Sequence, residues 1–140
     1  MSDFLEQFAR DFNALNAGNL DRLDEMYSDD LAFTDPMHSI NGLSDFKAYM
    51  KEMYANVEQI EFIFEACDYV AEDQGYLRWT MRFRHPRLAA GKQIEVPGCS
   101  HLRWREKVYY HRDYFDAGAM LYEHLPVMGA VINWLKRRLA

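Results

Sequence analysis

Apolar residues recur at Phe4, Leu5, Phe8, Phe12 and Leu15, the three-and-four spacing that lines one face of a helix. Ser2 stands ahead of them as an N-cap, and Gly18 marks where the chain leaves the helix. Asn19 can cap a second, shorter helix carrying Leu20, Leu23, Met26 and Tyr27, which the turn chemistry of Ser28-Asp29-Asp30 ends. A short strand from Leu31 to Asp35 stops at Pro36. Behind Gly42 and a capping Ser44, the spacing of Phe46, Tyr49, Met50 and Met53 predicts a third helix.

The pattern then changes period. Val57 to Ala71 is rich in strand formers. From Gly75 to Arg84 the alternation is strict, with Leu77, Trp79, Met81 and Phe83 on one face and Arg78, Thr80, Arg82 and Arg84 on the other. The polar face is solvated or paired with acids such as Glu61 and Glu65, across strands or subunits. Lys92 to Arg105 predicts another strand, bent by a bulge at Pro97-Gly98, and Val108 to Phe115 the last one. From Ala117 the helical period returns in Leu121, Leu125, Met128, Ile132, Leu135 and Leu139, with Pro126 placed to kink or split the helix. Helices first and strands after, without repeats or linkers, make one α+β domain over 1–116 and a helical extension over 117–140, packed on the domain or its twin.

Composition narrows the function. At 140 residues the chain closes a core without staples, and an aromatic share of 15% suggests rings lining something besides that core. A net charge of −6 would repel a phosphate backbone, so nucleic acid is not an expected partner. Cys67 and Cys99 lack the spacing of a zinc cluster or disulfide framework and read as buried thiols. No secretory signal pattern or membrane-length apolar run is present, which points to a cytoplasmic protein. Lys136-Arg137-Arg138 suits the negative end of a helix and permits weak contact with a membrane surface, the lesser of its two uses.

Three stretches carry a family likeness. Phe12-Asn13-Ala14-Leu15-Asn16-Ala17-Gly18-Asn19-Leu20-Asp21, then Tyr27-Ser28-Asp29-Asp30 and Phe33-Thr34-Asp35-Pro36, resemble the opening of ketosteroid isomerases and SnoaL-like polyketide cyclases. Arg112-Asp113-Tyr114-Phe115-Asp116 resembles the last-strand motif of limonene-epoxide hydrolases. These families share the nuclear transport factor 2-like fold, a cone of helices wrapped on a curved antiparallel sheet, and the resemblance implies that fold for residues 3 to 116. It also implies roles: Asp35 falls where the isomerases keep their proton-abstracting carboxylate, and Asp113 where the hydrolases keep the aspartate that acts on water. Asp11 and Ser100 stand where the isomerases hold the tyrosine and the protonated aspartic acid that stabilise an enolate. Met81 and Phe83 replace the hydrolases' Arg-x-Asp pair.

Strand alternation gathers the same residues. With Trp79, Met81 and Phe83 facing inward, His111, Asp113 and Phe115 share the inner face of the last strand, and Ser100, Leu102 and Trp104 that of the strand before. Phe33 and Asp35 come from the first strand with His38 just beyond, and Tyr27 joins the set through the resembling stretch. Asp35, His111 and Asp113 are the candidate catalytic residues; Tyr27, Phe33, His38, Trp79, Met81, Phe83, Ser100 and Phe115 are the candidate substrate contacts. Two carboxylates and an imidazole in an apolar wall suit acid–base chemistry, since burial and mutual repulsion raise one carboxylate's pKa. Against this stands a structural reading, in which Asp35 accepts backbone bonds in a turn and Asp113 pairs with His111 or an arginine. His111-x-Asp113 lacks a third ligand for a metal, and no glycine-rich loop implies a cofactor. The expected function is therefore a cofactor-independent isomerase, cyclase or hydrolase acting on a small apolar organic ligand. The alternatives are a non-catalytic binder of a lipid-like or polyketide-like ligand and a dimeric interaction module. A homodimer through the solvated sheet face is expected.

Overall fold

The computed structural model describes residues 3–56, 59–120 and 126–139. Helix α1 (Phe4–Asn13) buries Leu5, Phe8, Ala9 and Phe12, the stripe its spacing predicts. Ser2, the expected cap, lies outside the described residues; the first turn is instead served from the sheet. The Tyr69 hydroxyl accepts the Leu5 N–H at 2.9 Å and donates to the Glu6 carboxylate. The helix stops before Gly18 because the Asn19 amide folds back, accepting the Asn16 N–H at 2.7 Å and donating to the Ala14 carbonyl at 2.8 Å. That side chain thus closes the preceding turn and does not cap the elements after it. Those are a 3-10 turn, Leu20–Arg22, and the short α2 (Leu23–Met26).

Tyr27, predicted at a helix end, is extended (φ −121°, ψ 146°) and opens strand β1 (Tyr27–Thr34). Ser28-Asp29-Asp30 is therefore strand, not turn. A long-range partner overrides the local turn chemistry: Tyr27 pairs with Val108, and the Ser28 hydroxyl reaches the Val108 carbonyl at 3.3 Å. Strand β2 (Ser39–Asn41) returns beside β1, and Gly42, at φ +93°, turns the chain into α3 (Leu43–Asn56). Ser44 lies inside the first turn of α3, not ahead of it.

Strands β3 (Gln59–Ala71), β4 (Gln74–Arg84), β5 (Ile94–Trp104) and β6 (Val108–Phe115) complete a six-stranded sheet in the order β2-β1-β6-β5-β4-β3. All neighbours are antiparallel except β1 and β6, which run parallel. The bulge expected at Pro97-Gly98 is absent: Pro97 sits opposite Thr80 and Gly98 opposite Trp79 in unbroken register. Ser100, Leu102 and Trp104 do face inward, in phase with Ile94 and Val96 and without a reset. Gly98 answers to packing, since a Cβ there would run into the Trp79 indole and lie 2.8 Å from the Tyr114 carbonyl. On the outer face two of the arginines find partners other than Glu61 and Glu65: Arg78 pairs with Asp68 and Arg82 with Glu95, both at 2.9 Å, while Glu65 accepts from Thr80.

Leu5, Leu23, Tyr27, Leu31, Phe46, Leu77, Leu102 and Val108 are fully buried between the helices and the concave sheet face. Each contributes about 1.5–3 kcal/mol. Past β6 the chain forms α4 (Ala117–Met120) and α5 (Pro126–Leu139). Pro126 occupies the first helical position of α5, where no N–H is needed; Leu121, Tyr122, His124 and Leu125 lie outside the described residues. Of the stripe expected to be buried, Met128, Leu135 and Leu139 are exposed in this chain and Ile132 is half-buried. Gly129 is covered and Lys136 lies 4.0 Å from Asp116, so that side of the helix faces the domain while Met128, Leu135 and Leu139 point away.

Candidate functional site

The concave sheet face and α3 leave a cavity of about 580 Å³ between them. Phe33, Asp35, His38, Trp79, Met81, Phe83, His111, Asp113 and Phe115 all line it. Tyr27 and Ser100, read from sequence as substrate contacts, do not; they stand behind the wall and hold the residues that do. Sequence reasoning missed the opposite wall. Phe46, Tyr49, Met50 and Met53 of α3 and Phe12 of α1 line the cavity, though their helical spacing reads equally well as core. His85, Arg87 and Leu88, on the loop after β4, also line it and carry no local signal at all.

Behind the wall runs a continuous hydrogen-bonded chain. The Trp79 Nε1–H donates to Ser100 Oγ at 2.9 Å, and Ser100 Oγ–H donates to Asp113 Oδ1 at 2.5 Å. His111 Nε2 meets the same Oδ1 at 2.7 Å, and His111 Nδ1 meets the Tyr27 hydroxyl at 2.8 Å. The directions follow from donor capacity. An indole N–H can only donate, so the one serine proton goes to Asp113. Burial, with Asp113 nearby, pushes the Tyr27 phenol well above its ordinary pKa, so it keeps its proton and can donate it to Nδ1 when a neutral ring carries its own proton on Nε2 toward the Asp113 carboxylate. Oδ1 thus takes two donors, an arrangement suited to a carboxylate, while Oδ2 has no hydrogen-bond partner among the described residues. His111 is locked besides by rings, stacked 5.9 Å from Tyr27 and edge-on to Phe33 at 5.0 Å.

Asp35 is held differently. Its Oδ1 accepts the backbone N–H of Met37 at 2.8 Å and of His38 at 2.7 Å, with His38 Nδ1 3.1 Å away. Its own N–H closes the turn onto the His38 carbonyl at 2.9 Å. Oδ2 accepts the Tyr49 hydroxyl at 3.2 Å. Burial and the carboxylates of Asp35 and Asp113 push the Tyr49 phenol up as well, so the cavity is lined by a protonated phenol beside one carboxylate and by a second carboxylate, Asp113. Asp35 therefore carries both parts the sequence suggested, organising a turn and facing the cavity. Among the described residues no three His, Cys, Asp or Glu side chains cluster in a way that could hold a metal ion.

Helices wrapped on a curved sheet, with an apolar cavity between them, are the architecture of the nuclear transport factor 2-like fold. Residues 6–111 match the SnoaL-like domain family, and the chain belongs to it. A search of curated proteins returns no match. Among solved structures, TsrD from Streptomyces laurentii is 18% identical with a TM-score of 0.71, covering 86% of this chain and 94% of its own. A hypothetical protein of ketosteroid isomerase-like fold from Catenulispora acidiphila, in complex with trimethylamine, is 17% identical with a TM-score of 0.70, covering 86% and 91%. An epoxide hydrolase from M. tuberculosis resembling the limonene-epoxide enzymes is 19% identical with a TM-score of 0.67, covering 91% and 96%. At these identities the likeness establishes the fold.

Proposed function

We propose that this protein is a cofactor-independent acid–base enzyme of the isomerase, cyclase or hydrolase kind, acting on a small apolar substrate with Asp113 as the base. The observation that carries the reading is the division of labour on Asp113, a residue lining an apolar cavity: two donors fix Oδ1, and Oδ2 has no hydrogen-bond partner among the described residues. In the simplest reaction Oδ2 takes a proton from the carbon beside a carbonyl, and the bond's electron pair moves onto the carbonyl oxygen. Tyr49, held protonated, turns its single O–H from Asp35 Oδ2 to that oxygen and donates a hydrogen bond to it. Return of the proton to another carbon completes an isomerisation; in a cyclisation the carbanion bonds to a second carbonyl carbon, and the proton passes from Oδ2 to the alkoxide so formed. For hydrolysis the same oxygen takes a proton from water as the water oxygen bonds to an electrophilic carbon, and that proton passes to the oxygen released when its bond to the carbon breaks.

Deuterium exchange from heavy water into apolar ketones, compared between the parent and Asp113→Asn, tests the assignment. Protein-dependent exchange lost in the variant is the expected result. Exchange that survives the substitution removes Asp113 as the base. A chain that binds its copurified ligand without promoting exchange or turnover is a carrier. The dimer is proposed through the outer sheet face, where Tyr76 stacks on His101 at 4.5 Å and Tyr114 is exposed; a monomeric mass in light scattering at micromolar concentration refutes it. Two free thiols, Cys67 and Cys99, suit the cytoplasmic location proposed.

A further inference from the structure

We propose that α5 is an interfacial anchor that docks the protein on an anionic lipid surface beside the mouth of the cavity. The helix leaves an apolar face open: Met128 is 49% exposed, Val131 51%, Trp134 52%, Leu135 46% and Leu139 86%. At 3.6 residues per turn, Met128, Val131, Leu135 and Leu139 fall in one sector about 100° wide. No acidic residue occurs from 126 to 139, whereas Lys136, Arg137 and Arg138 fill the last turn of a chain whose net charge is −6. Lys136 is turned toward Asp116, and the Arg138 guanidinium lies over the Trp134 ring at 5.5 Å. An exposed tryptophan, an open aliphatic stripe and arginines at its edge form the composition of a helix lying in a membrane interface, with the stripe among acyl chains and the guanidiniums at the headgroups.

Charge selects lipid over a second copy. Two α5 faces packed in parallel would set one cationic turn against another. Packed antiparallel, each cationic turn would meet the positive N-terminal end of its partner helix. Anionic headgroups oppose neither arrangement of charge, and each basic residue at such a surface strengthens binding. The location also has a use. Met120 of α4 lines the cavity, and Asp116, just before α4, pairs with Lys136 of α5, so a docked α5 holds the cavity against the bilayer, where apolar ligands concentrate. The inference rests on the cavity and not on any reaction inside it.

The three tryptophans make the test direct, because Trp79 and Trp104 are only 3% and 5% exposed. Emission from the intact chain is titrated with vesicles of phosphatidylcholine alone and with vesicles containing about one-third phosphatidylglycerol. Anionic vesicles are expected to shift emission to the blue and protect it from acrylamide; Trp134→Phe abolishes the change, and high salt reverses it. The double variant Arg137→Gln/Arg138→Gln, far from the cavity chemistry, should weaken lipid affinity roughly 10- to 30-fold while leaving circular dichroism unchanged. The proposal fails if anionic vesicles cause no shift, or if neutral vesicles bind as well and the arginine variant is indifferent. It fails equally if Trp134 becomes protected without lipid as protein concentration and molecular mass rise, which would assign the face to a second copy. Protection in the dilute, lipid-free chain would mean that the domain covers α5, and that too overturns it.

Discussion

Ser100→Ala removes one hydroxyl from the middle of the buried chain that runs from Trp79 to Asp113. The Trp79 indole N–H, 2.9 Å from that oxygen, would lose its acceptor. A buried donor left unsatisfied costs about 1–3 kcal/mol. Asp113 would also lose one of the two donors on Oδ1, although water reaches this partly buried carboxylate and replaces part of the loss. The combined cost is about 2–3 kcal/mol. Unfolding a 140-residue chain gains roughly 0.3 kcal/mol per kelvin in entropy near its midpoint, so Tm should fall by about 7–10 °C. A double-mutant cycle isolates the link. In a Trp79→Phe background the orphaned donor no longer exists, and Ser100→Ala should then cost about 1–2 kcal/mol less than in the parent. Urea denaturation of the four proteins measures it. If the two substitutions add to within about 0.5 kcal/mol, the indole–serine bond contributes nothing to stability and the directional chain drawn from it is wrong.

Tyr27→Phe should lower stability by about 1–3 kcal/mol by stranding His111 Nδ1 in a buried site; an unchanged urea midpoint would show that the ring nitrogen finds another donor. Asp113→Asn keeps an Oδ1 that accepts from both Ser100 and His111, but as a neutral group, so a stability loss of about 1–2 kcal/mol and a fall in catalysed proton exchange of roughly a hundredfold are expected; exchange at the parent rate would refute the base assignment. His101, whose pKa is lowered by burial and by Arg103, binds protons more readily unfolded than folded. Its contribution is therefore complete above the ordinary imidazole value of 6.5 and is lost as the pH falls toward the folded pKa. His101→Gln should flatten the decline of stability below that pH, and an unaltered slope would assign the acid sensitivity to other groups. Gly98→Ala sets a methyl group into the Trp79 ring and toward the Tyr114 carbonyl and should cost at least about 1–3 kcal/mol; an unchanged melting temperature would mean that β5 can shift away.

The strict alternation of β4 and the period of two along β6 settled which residues share the concave face, because side chains on a strand point to opposite sides wherever no bulge intervenes. Hence Trp79, Met81, Phe83, His111, Asp113 and Phe115 were all legible as a group. The Asp35-Pro36 pair was likewise readable as both turn and candidate site, since its hydrogen bonds reach only two or three residues along the chain. Tertiary structure decided what depends on distant partners. Tyr27 left the helical pattern for a parallel pairing with β6, Asn19 was recruited by the turn behind it, and Gly98 proved to be room for an indole and not a bulge. The chain from Trp79 through Ser100, Asp113 and His111 to Tyr27 joins four strands, and hydrogen-bond direction across strands leaves no trace in local spacing. The α3 wall was ambiguous for a related reason: a helical stripe says that a face is covered, but not whether protein or a cavity covers it. The apolar stripe of α5 is the same signal with the opposite outcome, because periodicity specifies an amphipathic helix and only the packed domain determines whether its face is buried or open.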